Sequence, residues 1–497
     1  MAALLNLAIF LPLATGVVVL LLPTGRPGAL RWTALIGTGA TLFLVAALWA
    51  DVSMTTSGLQ HRTTLPWVPG IGASYDVAID GLSLPLLSLT AVLFFAVSVY
   101  VLPKADRVPS HAFLFLLMET GLLGLFAAQD LLLFYVFFEV ALVPMYFVIG
   151  GWGHEDRRYA AMKFFLYTRG ASLAMLLGIL GLYLSMEPRT FSLPAIAEQR
   201  PLAGSLIAGS LVLFGLLIGF LVKVPSIPLH NWLPDAHVEA PTEGSVVLAG
   251  LQLKMGGYGL FRVALATVPE AAERWGWLLV VLGVASLVYG ALAALAQSDF
   301  KRLIAYSSVA HMGYVTLAAG VYVLSPDDTV RSLAWVGAVY QMVSHGLLTG
   351  GMFFLAGILQ DHSGTREIPR IGGLMRRLPL YAALLSVLAF GSLGIPGMSG
   401  FIAELQVIGA TVSLSVWAAA FTVLGLLVTT GLYLVVVTRL VLGTPPAGAP
   451  ALSRPDGREL GVVLALAALS ILLGVAPSPL MALIEPSSLA PVEVAAP

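Results

Sequence analysis

The sequence predicts an all-α integral membrane protein of about fourteen transmembrane helices, and three observations carry that reading. Apolar residues make up 58% of the 497 positions and charged residues only 10%, where a soluble domain carries about 25% charge. Apolar runs of roughly the 20 residues that a bilayer core requires recur from one end to the other. No stretch between them is long or polar enough to be a separate soluble domain, so 1–497 reads as one polytopic membrane domain.

Hydropathy places the spans, in order, at about 3–22, 29–50, 80–102, 111–128, 131–150, 158–184, 205–224, 242–267, 277–296, 302–322, 333–358, 380–410, 412–440 and 459–483. The first run, Leu4 to Leu22, lacks a basic start and a small-residue cleavage site, which predicts a retained first helix rather than a signal peptide. The connections are short except for 51–79 and modest loops near 185–204, 225–241, 359–379 and 441–458.

Composition excludes several function classes. A net charge of −1 leaves no basic patch for nucleic acid. The chain has no cysteine, which removes disulfides, cysteine-ligated iron–sulfur clusters and thiolate zinc sites. No cofactor and no redox centre is expected in this chain. Gly37-Thr-Gly39 is a lone GxG inside an apolar span and predicts no nucleotide site.

An internal repeat is visible. Gln129-Asp130 precedes the fifth span and Gln297-Ser298-Asp299 the tenth. Asp130 to Pro225 is 95 positions and Asp299 to Pro396 is 97. Pro225 and Pro228 interrupt the end of span seven, and Gly391 to Gly400 interrupts span twelve. Five spans per unit is an odd number, so the second unit is expected to be inverted. Gly/Pro-broken spans at matching places in inverted repeats point to an ion pathway; ordinary proline kinks are the alternative. The expected organisation is helices 1–3 within 1–110, a first five-helix repeat over 111–267, an inverted second over 277–440, and a C-terminal helix and tail over 441–497.

Loop charge predicts orientation. Fifteen basic residues, from Arg26 and Arg31 through Arg366, Arg370, Arg376 and Arg377 to Arg458, fall on alternate loops. Five (Arg62, Arg189, Arg200, Arg274 and Arg331) fall on the others. The positive-inside rule puts the first set in the cytoplasm, and an even span count then leaves both termini outside.

Five basic residues fall within spans: Lys163, Arg169, Lys223, Lys254 and Arg262. The chain has five lysines against twenty arginines, and three of the five are in spans. Arginine stays charged, whereas a buried lysine can release its proton. Charges at mid-bilayer cost at least about 2.5–3.5 kcal/mol on insertion scales, so each needs a reason. Glu139 lies well inside span five, with Tyr135 four positions before and Tyr146 seven after on its face. Lys223 closes span seven before the proline break. Lys254 is mid-span, with Tyr258 one turn on, and Glu404 follows the second break. Structural ion pairs fixing the helices are the bland account of these groups; a proton path is the functional one. His311 and His345, the latter with Gln341 one turn before, are either relay groups or satisfied polar groups between helices. Glu119 in span four is a further candidate. His230 and His237 flank Asp235, where a metal site is conceivable but a loop constraint fits better for want of further ligands.

Phe134–Trp152, Lys163–Tyr167, Lys223-Val-Pro, Leu229–Lys254, Tyr306–Gly313 and Gly394–Glu404 resemble the antiporter-like membrane subunits of respiratory complex I, over most of the chain from about 80 to 440. The likeness is nearest to the subunit M branch, the counterpart of mitochondrial subunit 4. It implies that Glu139, Lys223, Lys254 and Glu404 are the family's key glutamate, key lysine, central lysine and terminal carboxylate. Other branches carry lysine at the last position. Asn231, Glu243 and Gln252 depart from the family pattern, which leads one to expect threonine, alanine and an aliphatic residue. The resemblance further implies a proton relay in which Glu139 pairs with Lys223. Separation of the pair sends the proton toward Lys254, then by His311 or His345 to Glu404. Implied partners are neighbouring antiporter-like subunits of the complex and the lipid of a bacterial inner membrane. A subunit of a multisubunit cation/proton antiporter or of a membrane-bound hydrogenase shares much of this pattern; a scaffold with merely structural buried ions is a third reading.

Overall fold

Apolar runs in hydrocarbon must satisfy every backbone N–H and C=O internally, and the helix does this within one segment. The computed structural model describes residues 2–488 apart from positions 55, 57 and 105; the expected tail beyond Ser488 lies outside the described residues. Among them, twelve helices are long and apolar enough to cross a membrane. Two open the chain, α1 (Ala2–Leu21) and α2 (Pro27–Trp49). Their outer sides expose Leu21, Ile36 and Phe43, as a lipid-facing surface requires.

The polar stretch 51–79, expected as a loop, instead forms an antiparallel hairpin of β1 (Gln60–Val68) and β2 (Ala73–Ile79). Pro69 and Gly72 turn it, the glycine at φ +67°, where a Cβ is unfavourable. Arg62 grips Asp76 across the strands with two bonds of 2.9 and 2.7 Å. Hydropathy passes over this element, although Thr63, Thr64, Trp67 and Val68, then a Pro-Gly turn, then Tyr75, Val77 and Ile79 are strand and turn signals.

Next come α3 (Ser83–Tyr100), α4 (Val108–Ala127), α5 (Leu131–Trp152) and α6 (Arg157–Ser185), the short α7 (Leu193–Gln199), and α8 (Leu206–Lys223). Asp130 N-caps α5 through the amides of Leu132 and Leu133 and bridges to Ser192. α8 stops at Lys223, and after the Pro225 and Pro228 turn the chain resumes as α9 (Trp232–Glu239).

The expected span 242–267 is not a plain helix. It runs as α10 (Thr242–Val247), a π segment Leu248–Gln252, α11 (Leu253–Gly259) and a second π segment Leu260–Leu265. π turns widen a helix locally and recur at functional sites; here they flank Lys254 on both sides.

Then follow α12 (Pro269–Leu295), α13 (Phe300–Leu324) and the 36-residue α14 (Asp328–Ser363), whose apolar stretch is wholly buried. Asp299 caps α13 as Asp130 caps α5, and it likewise bridges onward, to Glu367. The expected span 380–410 is two half-length helices, with α15 (Leu374–Arg377) ahead of them: α16 (Pro379–Ser392) and α17 (Ser399–Leu414). Gly394 and Gly397 between them take φ of +77° and +91°. The chain ends in α18 (Val416–Val436), continued by a π segment to Leu442, then α19 (Gly457–Val475) and α20 (Ser478–Ile484).

Candidate functional site

The interrupted helices carry the ionisable residues. α11, between its π turns, places Lys254 fully buried, with Nζ donating to the Ala249 carbonyl (2.6 Å) and bonded to His345 Nδ1 (2.6 Å). His345 projects from the middle of α14, its ring centroid 5.9 Å from that of His311 on α13. His311 Nδ1 lies 3.9 Å from Glu404 Oε1 on α17. Its Nε2 lies 3.4 Å from the Tyr433 hydroxyl, which also donates to Ser307 (3.1 Å). Gln341 donates to the His311 carbonyl at 3.2 Å. Four side chains from four helices thus form one buried row: Lys254, His345, His311, Glu404. A cavity of about 10 Å³ lies among His311, Gln341, Ser344, His345 and Glu404, room for about one water molecule.

The break between α16 and α17 seats the end of this row. A side chain at Gly394 would occupy the place of the Glu404 carboxylate. Glycine there allows the left-handed turn and leaves room for the acid.

Glu139 and Lys223 lie outside this row, and they do not form an ion pair with each other. Glu139, on α5, pairs with Arg169 of α6 and accepts from Ser172 Oγ at 2.6 Å. The expectation of a Glu139–Lys223 contact is therefore corrected: the carboxylate is drawn to α6. Lys223, 1% exposed, has no hydrogen bond or ion pair among the described residues. Its Nζ faces the rings of Phe164, Phe138 and Trp232 at 5.1, 5.7 and 5.9 Å, contacts that attract a cation without removing its charge.

The remaining candidates lie apart from the row. Glu119 is fully buried on α4, and neither carboxylate oxygen meets a partner among the described residues. Gln252, a departure from the family pattern, joins this region by donating to the Ala141 carbonyl at 2.8 Å. Tyr258 packs against Phe126 and Phe134, with the Arg262 guanidinium 5.6 Å from its ring. Arg262 forms a fully buried pair with Asp80, an acid at the head of α3 that the sequence reading passed over.

Asp235 pairs with Lys163 (2.6 Å) and Arg302 (3.0 Å), so its neighbourhood is a charge clamp. No group of three or more metal-ligating side chains occurs among the described residues. Glu243 accepts from Lys104 (2.7 Å) and meets His111 Nε2 (3.0 Å), and His111 Nδ1 lies 3.1 Å from Arg31. This buried cluster ties α2, α4 and α10 together and explains how an extra acid is accommodated there.

Comparison with known proteins adds the following. Residues 128–430 match the family described as NADH:quinone oxidoreductase/Mrp antiporter, TM. The chain is 37% identical to NADH-quinone oxidoreductase subunit M of Rhodobacter capsulatus over 98% of its own length and 96% of that protein. It superimposes on a chain of respiratory complex I from Thermus thermophilus with a TM-score of 0.83 at 33% identity, covering 97% of this chain and 98% of the other. A chain of the Mrp complex from Dietzia sp. DQ12-45-1b gives a TM-score of 0.85 at 22% identity, with 98% and 97% covered; at that identity the likeness is one of fold alone.

Proposed function

The chain belongs to the NADH:quinone oxidoreductase/Mrp antiporter membrane family, as an antiporter-like subunit of the complex I type, and from that premise we propose how it moves protons. Quinone reduction elsewhere in the complex is coupled here to a relay running from Glu139 and Lys223 through Lys254, His345 and His311 to Glu404. The buried row from Lys254 to Glu404 carries this reading. Intramembrane ionisable groups are expensive to place, and this row strings four of them through the centre of the protein with 2.6 Å and 3.9 Å contacts at its two ends.

Breaking an ion pair is adequate as a drive. Two unit charges about 4 Å apart interact by roughly 4 kcal/mol at an effective dielectric of 20. Moving one charge across about 150 mV takes roughly 3.5 kcal/mol.

The organisation proposed is two inverted five-helix units. Asp130 and Asp299 cap equivalent helices 169 positions apart. Lys223 and Ser392, the last residues of α8 and α16, are also 169 apart. Both termini are placed outside, and electrons are proposed to bypass this cysteine-free chain. The absence of cysteine makes the orientation simple to test. Met375→Cys should react with an impermeant thiol reagent from the cytoplasmic side and Glu198→Cys from the other; the reverse pattern inverts the topology.

The relay itself is tested with Glu139→Gln, which keeps volume and hydrogen bonding but removes the charge. Proton-to-electron ratio and quinone-reductase turnover, both normalised to assembled complex, should collapse. Glu239→Gln is the control, since that side chain accepts the Asp156 amide (2.9 Å), which glutamine can do as well, and it lies outside the buried row. Normal pumping by Glu139→Gln would falsify the relay. Full turnover with a lowered ratio would keep the channel and discard tight coupling.

A further inference from the structure

One carboxylate stands near two cations of different chemistry. Glu139 lies on α5; Arg169 and Ser172, one turn apart on α6, both engage it. Arg169 also reaches the Tyr135 hydroxyl at 3.3 Å, one turn before Glu139 on the same face of α5. Guanidinium, hydroxyl and phenol together make a seat for this carboxylate.

Lys223 has the opposite surroundings. Among the described residues its ammonium has no hydrogen-bond partner and faces aromatic rings, one of them Phe138, the residue preceding Glu139, and another Phe164 of α6. The two helices that build the seat therefore also build the box around Lys223. A single carboxylate neutralises a single cation. While it is seated on Arg169, a proton on Lys223 has no counter-charge in contact.

Arginine is the suitable partner for such a seat. Its guanidinium keeps its proton at any working pH, whereas lysine can donate. A carboxylate can rest on Arg169 without the proton leaking toward α6. The Tyr135 hydroxyl, 3.3 Å from the guanidinium, gives Arg169 a polar neighbour besides Glu139.

We propose that Arg169 is the positioning residue that draws Glu139 off Lys223, with the structure described here holding the carboxylate in that parked position. The inference rests on the relay reading above and adds a third member to its first step. With Glu139 on Lys223, the ammonium is held. With Glu139 on Arg169, one proton passes from the ammonium of Lys223 to the neutral amine of Lys254, leaving Lys223 neutral and Lys254 charged. No electron moves. A static pair, in which Arg169 only neutralises Glu139 for packing, is the competing account.

The two accounts separate in the assembled complex. R169Q removes the seat and should slow quinone-reductase turnover several-fold per assembled complex while leaving the proton-to-electron ratio unchanged. R169K, which keeps the cation, should regain most of the rate. A cryo-EM structure of the R169Q complex should show Glu139 within ion-pairing reach of Lys223, about 4 Å or less between N and O. Parent turnover in R169Q, or a Glu139 that stays on Ser172 and away from Lys223 there, overturns the proposal. So does a variant whose only defect is a lower yield of complex. Should R169Q not assemble, S172A removes the other contact of the seat; it should slow turnover in the same direction, and an unchanged rate overturns the proposal. Impaired E139Q with normal R169Q discards the role of Arg169 alone. Normal E139Q discards the relay beneath it.

Discussion

Lys254 Nζ and His345 Nδ1 share a hydrogen bond of 2.6 Å between α11 and α14, with both side chains buried. Such a bond holds one proton between two nitrogens: an ammonium donating to an imidazole lone pair, or an imidazole N–H donating to an amine. Both forms fit the same geometry, so a proton can change owner with little movement of heavy atoms. The Ala249 carbonyl in the preceding π turn accepts a second bond from the amine and fixes its direction.

Lys254→Gln should therefore cut turnover and pumping together, by about tenfold or more, the scale at which a positioned proton-transfer group acts. Glutamine still donates to Ala249, so assembly should hold. His345→Gln should show the same defect, and the double substitution should be no worse than the more severe single one, because both act at one link. Additive losses measured per assembled complex would separate the two residues into different steps.

Gly394→Ala tests the seat of the terminal acid. Alanine at φ +77° is strained, and its methyl group would displace the Glu404 carboxylate. The cost in stability should be modest, about 1 kcal/mol for the backbone, whereas the His311–Glu404 approach is lost. Turnover should fall several-fold while the yield of complex changes little. Vesicle assays normalised to complex decide this, and parent turnover would show that the acid tolerates relocation.

Much of the site is legible in the sequence because a charge within an apolar run is itself anomalous. Glu139, Lys223, Lys254 and Glu404 all announce themselves in that way, and the Pro and Gly breaks beside two of them are equally plain. The pairing is not legible. Arg169 on α6 meets Glu139 of α5, and Asp80, just ahead of α3, meets Arg262 in the second π segment; same-helix spacing holds no information about contacts between separate elements. The π turns around Lys254 leave no local signature, since Leu248–Gln252 and Leu260–Leu265 are composed like ordinary helix. The hairpin was hidden for another reason. A hydropathy window scores polarity and has no sense of the two-residue period that Thr63 to Val68 and Tyr75 to Ile79 carry.

His154, in the turn between α5 and α6, supplies a pH dependence. Burial first, then the cations Lys301, Arg366 and Lys104, push its imidazole down to about 4 from an ordinary value of about 6.5. The unfolded chain thus binds a proton more readily than the folded one. Its contribution to stability is intact above about pH 6.5, declines as pH falls below that, and is fully lost near pH 4. The melting temperature of the complex should fall between about pH 6.5 and 4.5, and less steeply in His154→Gln, which never charges. Equal slopes for parent and variant would assign the acid sensitivity to other groups.

The Asp80–Arg262 pair gives a prediction about stability alone. Asp80 Oδ1 accepts from the amides of Leu82 (3.0 Å) and Ser83 (2.9 Å) and from the Ser83 hydroxyl (2.8 Å), closing the first turn of α3. Its other oxygen takes the guanidinium of Arg262. Asp80→Asn keeps the shape and the oxygen that receives these amides, but leaves Arg262 charged in a fully buried position. Removing one partner of such a pair costs about 3–5 kcal/mol, so the yield and melting temperature of the complex should drop clearly. Asp80→Asn with Arg262→Met removes both charges and should recover much of the loss, a non-additivity expected only of residues in contact. Neither residue belongs to the row from Lys254 to Glu404, so the complex that assembles should pump at the parent proton-to-electron ratio. A lowered ratio in assembled Asp80→Asn complex would instead place the pair on the proton path.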